Sequence, residues 1–105
     1  MRKKSFKLSS QKFQISAFVV TLNEEKYLRR CLNSIDFCDD IVVIDLGSTD
    51  DSVKIASEFT SNIHIVPKLF FIEAVRSKYS SFVKNNWIIS IDPDEYLEKG
   101  LVRNI

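Results

Sequence analysis

Apolar runs of strand length alternate with stretches of helical periodicity along this chain. Residues Gln14 to Leu22 read Q-I-S-A-F-V-V-T-L, rich in β-branched side chains, and predict a first strand. Asn23 follows as the expected cap of a helix, with Glu24 and Glu25 in the first turn, where the helix dipole favours acids. Tyr27, Leu28, Cys31, Leu32 and Ile35 recur at three- and four-residue spacing, the stripe of an amphipathic helix. Asp40 to Asp45 encloses I-V-V-I, a run too apolar for a sheet wet on one face and suited to a central parallel strand. The run S-T-D-D then offers a capping-box-like opening, at Ser48 or Thr49, to a second helix whose Val53, Ala56 and Phe59 are expected to face the sheet. Ile63 to Val66 predicts a short third strand, Phe71 to Val83 a third helix and Trp87 to Ile91 a fourth strand.

A βαβαβαβ order is solved most simply by an α/β fold, a mostly parallel sheet with right-handed crossovers and helices on both faces. At 105 residues the chain suffices for one domain with a modest core, expected over residues 14–105, behind a basic N-terminal tail over residues 1–13. Net charge is only +1, but Arg2, Lys3, Lys4, Lys7 and Lys12 stand in the first 23 residues without an acid, so the remainder is acidic. The tail reads as a solvated segment or as an electrostatic foothold, a peripheral contact with anionic lipid. An acidic body without a basic, aromatic-laced face argues against nucleic acid as a partner. No apolar run is long enough to span a bilayer and no secretion signal follows the basic start, so the expected location is the cytoplasm, with the inner face of the membrane as the peripheral alternative. Cys31 and Cys38 form no metal-type spacing and are read as packing residues of a reduced compartment.

Chemistry enters at the strand ends. The fourth strand runs into D-P-D-E, in which Pro93 stops the strand between Asp92 and Asp94 and Glu95 adds a third carboxylate. Loops at the carboxyl ends of parallel strands open onto the ligand crevice, and carboxylates there suit a hard cation that wants oxygen ligands and bridges to phosphate. Along the same edge the first strand delivers Thr21, Asn23 and Glu24, and the second delivers Asp45, Gly47, Ser48 and Thr49. Gly47 permits a tight turn or the close approach of a ligand. Neither G-x-G-x-x-G nor G-x-x-x-x-G-K-[ST] occurs, so a dinucleotide fingerprint and a phosphate loop are both excluded.

The turns V-V-T-L-N-E-E, I-V-V-I-D-L-G-S-T-D and I-I-S-I-D-P-D-E, in this order and spacing, resemble the N-terminal half of a family 2 glycosyltransferase. The resemblance runs from about Ile15 to the end of the chain and is strongest to bacterial enzymes of lipopolysaccharide core and surface-glycan synthesis. It implies a GT-A fold with a Rossmann-like nucleotide-binding half, a nucleoside-diphosphate sugar as donor with a UDP-sugar foremost, Mg²⁺ or Mn²⁺ as cofactor, and a glycan or lipid-linked acceptor. It further implies that Thr21, Asn23 and Glu24 line the nucleoside pocket, that Asp45 accepts a hydrogen bond from the base, that Asp92 approaches the ribose or sugar, and that Asp94 ligates the metal. Arg76 stands where family members carry an Arg-Asn pair near the diphosphate. Here Ser77 follows it, and Leu22 occupies a position where an aromatic is common.

Other residues carry plainer readings. Asn23 and Ser48 can cap helices without any ligand, Asp39 and Asp40 read as loop solubilisers, and Asp50 and Asp51 as first-turn charges. His64 reads as a packed or surface imidazole, and Phe70, Phe71, Phe82 and Trp87 as core. Ten residues follow Glu95, too few for acceptor-binding strands, and no catalytic base is assigned. The sheet would then leave apolar surface or a strand edge for a C-terminal part or a second copy to cover. Besides a donor-binding part of a glycosyltransferase, two readings remain: a non-catalytic remnant or interaction module of the same fold, and a phospho-accepting receiver. The receiver ranks last, because its first strand should end in an acidic pair and its third in a lone Asp, where this chain has T-L-N-E-E and Val66-Pro67-Lys68.

Overall fold

Strands and helices alternate as the hydropathy pattern requires in a computed structural model whose described residues are 13–66 and 82–98. Strand β1 spans Phe13–Thr21, helix α1 Glu25–Ser34, strand β2 Cys38–Asp45, helix α2 Ser52–Ala56, strand β3 Ile63–Ile65 and strand β4 Ile88–Ser90. The expected basic tail, apart from Phe13, and the expected third helix, apart from its last two positions, lie outside the described residues.

All the described strands run parallel in one sheet of order β3-β2-β1-β4. From β1 the chain steps outward through β2 to β3, then returns to the opposite side of β1 to lay down β4. The winding therefore reverses between β1 and β4, and in an open α/β sheet the crevice beyond such a reversal is the usual ligand site. This is the Rossmann-like, mostly parallel arrangement the sequence predicts.

Every residue of β2 except the half-buried Asp39 is buried, as a central strand demands. On one face Ala17, Val19 and Val43 meet Leu28, Cys31, Leu32 and Ile35 from α1 and its end, and Ile55 and Ala56 from α2. Burial of a leucine or isoleucine in such a cluster is worth about 2 kcal/mol, which is what holds α1 to the sheet. Both described helices lie in this cluster; on the opposite face Phe18, Val42 and Ile44 are packed by Val20, Leu46, Val66, Phe82, Val83 and Ile88. Tyr27, at the margin of the predicted stripe, is exposed. Arg29 ties α1 to the segment after α2 through a two-pronged pair with Glu58.

Helix α2 is shorter and later than the sequence suggests: it opens at Ser52, not Ser48 or Thr49, because residues 48–51 are spent on bonds to the neighbouring loop. It buries Ser52, Ile55 and Ala56, with Val53 half-buried, and Phe59 packs at the edge of the same cluster.

At the opposite edge of the sheet from the candidate site, Asp39 and Asp40 correct their reading as loop solubilisers. Both belong to β2, and Asp40 is buried. Its Oδ2 accepts from Ser16 Oγ at 2.6 Å and from the Lys84 amide at 2.7 Å, and its Oδ1 accepts from Asn62 Nδ2 at 3.2 Å. Burial pushes the Asp40 carboxyl up, but the bonds from Ser16, Lys84 and Asn62 outweigh it and hold the group below the ordinary carboxylate range. Asp39 takes the Asn85 side-chain amide at 2.6 Å and the Lys84 ammonium at 3.3 Å. Together these bonds fasten residues 84 and 85 immediately before β4.

Trp87 corrects its assignment to the core. It is 77% exposed, while its carbonyl accepts from the Ser16 amide at 2.8 Å. Phe82 does join the core and lies 4.7 Å from the His64 ring, and His64 Nε2 is 2.6 Å from Asn62 Oδ1, so this imidazole is a packed one. Cys31 and Cys38 are buried and not joined in a disulfide, as expected of packing residues. No helix among the described residues is long and apolar enough to cross a membrane.

Candidate functional site

The carboxyl ends of β1 and β2 are in register, with Thr21 opposite Asp45, and Ser90 of β4 lies opposite Phe18 on the other side of β1. The three loops that follow these strands therefore rise from one edge of the sheet and flank the reversal between β1 and β4.

Asp45 is 1% exposed and turns its carboxylate forward onto its own loop. Oδ2 accepts from the amides of Gly47 at 3.0 Å and Ser48 at 2.8 Å, and Oδ1 accepts from Ser48 Oγ at 2.6 Å. Gly47, at φ 102°, supplies the left-handed backbone this turn needs, with no atom close to where a side chain would begin. An aspartate at a strand end followed by a glycine two residues on is the sequence signal for such a side-chain-closed turn.

Thr21 is buried to 1% exposure beside it, and its Oγ1 has no hydrogen-bond partner. Its backbone carbonyl is engaged, accepting from the Leu46 amide at 3.0 Å. An unpaired buried hydroxyl costs about 1–3 kcal/mol, which this strand end carries among the described residues.

The loops after β1 and β2 hold each other. Asn23 adopts φ 54°, a left-handed conformation that asparagine tolerates better than most residues. Its Oδ1 accepts from the Thr49 amide at 2.7 Å and the Asp50 amide at 3.3 Å. In return its own amide donates to Ser48 Oγ at 2.9 Å, that of Glu24 to Ser52 Oγ at 3.0 Å and that of Glu25 to Asp50 Oδ2 at 3.1 Å. Glu25 Oε1 closes the set by accepting from the Asp51 amide at 3.3 Å. The expected caps thus work in exchange: Asn23 does not cap α1, whose opening amides go to Ser52 and Asp50, and Ser48 does not cap α2. Asp50 is an acceptor between loops, not merely a first-turn charge, and the hydroxyl and amide of Ser52 hold its carboxyl below the usual range. Glu24 is half-buried at the head of α1, where its carbonyl accepts from the Tyr27 and Leu28 amides.

After β4 the chain makes a tight turn. The Asp92 amide donates to Glu95 Oε1 at 2.9 Å and the Glu95 amide donates back to the Asp92 carbonyl at 2.9 Å. Pro93 is buried within this turn, whereas Asp92 and Asp94 are exposed. Helix α1 lies beneath: Cys31 Sγ is 3.5 Å from the Asp92 carbonyl and Arg30 Nη2 is 3.2 Å from the Asp94 carbonyl. Burial first, and then the charges of Glu95, Asp92 and Asp94, push the Cys31 thiol up to about 12, which makes it inert and registers the negative field of the turn.

Among the described residues no group of three His, Cys, Asp or Glu side chains gathers as a metal cage. The donor chemistry nevertheless fits Mg²⁺ or Mn²⁺ arriving with a nucleotide, since such an ion is commonly held by one or two carboxylates and the phosphate oxygens of its substrate. The structure thus brings Thr21, Asn23, Glu24 and Asp45 into one joined pair of loops, and places Asp92 and Asp94 on the turn across the reversal. Arg76 lies outside the described residues. Sequence reasoning missed Arg30, and the helical charge pattern that contains it gives no signal to single it out.

Comparison with known proteins bears on the family and the fold. Residues 16–105 match the family model described as "Glycosyl transferase family 2". An uncharacterized glycosyltransferase of Rickettsia felis is 38% identical over 89 residues, which is 84% of this chain and 31% of the relative. The lipopolysaccharide core biosynthesis glycosyltransferase LpsC of Rhizobium meliloti is 34% identical over 96 residues, 86% of this chain and 35% of that protein. The chain therefore spans about a third of the length of these relatives. Among solved structures, S. aureus TarS 1-349 superposes with a TM-score of 0.68 at 23% identity, over 88% of this chain and 31% of that one. The same protein in complex with UDP-GlcNAc gives a TM-score of 0.62. At this identity the likeness establishes the fold, the Rossmann-like part of a GT-A architecture.

Proposed function

This chain belongs to glycosyltransferase family 2, and on that footing we propose that its described loops form the donor site of an enzyme transferring a sugar from a nucleoside diphosphate to an acceptor hydroxyl. The observation that carries the reading is the unpaired, buried Thr21 hydroxyl, set in register with Asp45 at the reversal of the sheet. A ligand polar group entering there would satisfy it.

The nucleoside sits against Thr21, Asn23 and Glu24. Asp45 is assigned to the base and Asp92 to the ribose or sugar. A UDP-sugar is the donor we favour, because the fold is shared with a protein crystallised with UDP-GlcNAc. Asp94 would hold Mg²⁺ or Mn²⁺ on the diphosphate; when bound, such an ion acts as a Lewis acid that stabilises the charge gathering on the departing phosphate. Arg76 is proposed as a second cation for the diphosphate. Glu95, whose carboxylate is engaged by the Asp92 amide, braces the turn and is not assigned as base. Family members extend well past the length spanned here, and we place the acceptor site and its base in that further part. A glycan or lipid-linked acceptor of the cell envelope is favoured by the relation to LpsC, with work at the inner face of the membrane.

Thermal unfolding with UDP, with and without Mn²⁺, tests the reading. A ligand that binds only the folded state at 100 times its dissociation constant adds about 2.7 kcal/mol, a readable rise in melting temperature. The rise is expected to need Mn²⁺ and to vanish in Asp94→Ala. A chain that melts cooperatively yet ignores UDP and other nucleoside diphosphates would instead be an interaction module of the same fold.

A further inference from the structure

We propose that Arg30 is a positioning residue that fixes the backbone under Asp94 and so aims its carboxylate at the metal of the donor complex. The inference rests on the reading of Asp94 given above and assigns a role to a side chain outside the turn. Arg30 leaves the exposed side of α1 and meets the turn after β4 at two points. Its Nη2 donates to the Asp94 carbonyl at 3.2 Å, and its guanidinium carbon lies 4.3 Å from the centre of the Tyr96 ring. The ring of Tyr27, on its own helix, stands 5.8 Å away on the guanidinium as well.

An exposed arginine with no fixed partner loses nothing by waving in water, and holding it costs side-chain entropy. Here a planar cation stacked near aromatic faces is pre-oriented, so its donor reaches one carbonyl at little further cost. The choice of partner is the telling detail. Among the described residues Arg30 forms no ion pair with the three carboxylates of the turn, although they are its neighbours in space. It takes the main-chain oxygen and leaves the Asp94 carboxylate exposed. A guanidinium paired to that carboxylate would compete with a metal ion; one bonded to the carbonyl behind it orients the ligand and leaves it free. The neighbouring Cys31 thiol supports the Asp92 carbonyl from the same helix, so both ends of the D-P-D segment rest on α1.

Groups that orient a metal ligand without touching the metal typically cost tenfold or more in metal affinity when removed. Mn²⁺ titration at saturating UDP, read by the rise in melting temperature, is therefore compared for the unchanged chain, Arg30→Met and Arg30→Lys. The Mn²⁺ concentration at half-effect is expected to rise about tenfold in both variants, since lysine restores the charge but not the planar stack. Tyr96→Leu, a change outside any helix, should shift the Mn²⁺ requirement in the same direction. Hydrogen exchange adds a reading that needs no metal: the Glu95 amide, bonded to the Asp92 carbonyl, should exchange several-fold faster in Arg30→Met. A Mn²⁺ requirement in Arg30→Met equal to that of the unchanged chain, or a lower one from the loss of a repelling cation, overturns the inference. Nucleotide binding that ignores Mn²⁺ in the unchanged chain overturns the metal reading of Asp94 and this inference with it, and is recognised before any substitution is made.

Discussion

Asn23 Oδ1 receives the amide of Thr49 at 2.7 Å, so the loop that leaves β1 is closed by the loop that leaves β2. The amides that open α1 are answered from the loop after β2, and the amides of Thr49, Asp50 and Asp51 are answered from the loop after β1. The pair behaves as one platform, and disturbing one side should be felt on the other.

Asn23→Ala removes the acceptor and puts a side chain with no local hydrogen bond at φ 54°, for an expected loss of about 2 kcal/mol in unfolding free energy. Asn23→Asp keeps an oxygen in place and tolerates the left-handed backbone, and should stay within about 1 kcal/mol of the parent. Denaturant unfolding of the two variants side by side decides it. Equal losses would mean that the link to Thr49 carries no stability.

Thr21→Val exchanges the unpaired hydroxyl for a methyl of nearly the same shape. Folding should be unchanged or favoured by about 1 kcal/mol, since a buried polar atom without a partner is removed. Nucleotide binding should weaken, by about fivefold to tenfold for one lost neutral hydrogen bond. Opposite movements of melting temperature and UDP affinity are the signature sought; a variant less stable than the parent would show that the hydroxyl already had a partner.

Asp40 sets an acid limit. Its carboxyl titrates below the ordinary range in the folded chain, so its contribution is complete above the unfolded value near pH 4 and is lost as pH falls through the lower folded value. Stability measured from pH 6 down to pH 2 should fall in that region, and Asp40→Asn should flatten the part of the fall that Asp40 causes. Asp40→Ala leaves the Ser16 hydroxyl and the Lys84 amide unanswered and should cost about 3 kcal/mol at neutral pH. An Asp40→Asn profile superimposable on the parent's would remove the carboxylate from the account.

How much of this was legible in the sequence depends on the range of the interactions. The central strand, the helical stripe and the acid-rich strand end are local patterns, and Val42, Leu32 and Asp92 occupy the places their neighbours dictate. Asp40 was misread because its partners Ser16, Asn62 and Lys84 are distant in sequence, and nothing near D-D distinguishes a buried carboxylate from a solvated one. Asn23 and Ser48 were recognised as residues suited to capping, but their type does not say which loop they serve. Trp87 reads as core by hydrophobicity alone; its place before the short edge strand β4 turns it outward.

The order of strands also governs when the site can come into being. Thr21, Asn23, Asp45 and the bonds among their loops involve no residue beyond Ser52, so this half can assemble early in synthesis. Ala17, by contrast, must wait for Ile89 to pair with its free side, and such a distant closure is the slow step in a fold of this kind. A ribosome would thus release a nearly finished nucleoside platform before the acids that complete it exist, and until β4 arrives one side of β1 remains an open hydrogen-bonding edge. A nascent chain stalled between those points would be exposed to strand-to-strand association until Ile88–Ser90 pair with β1.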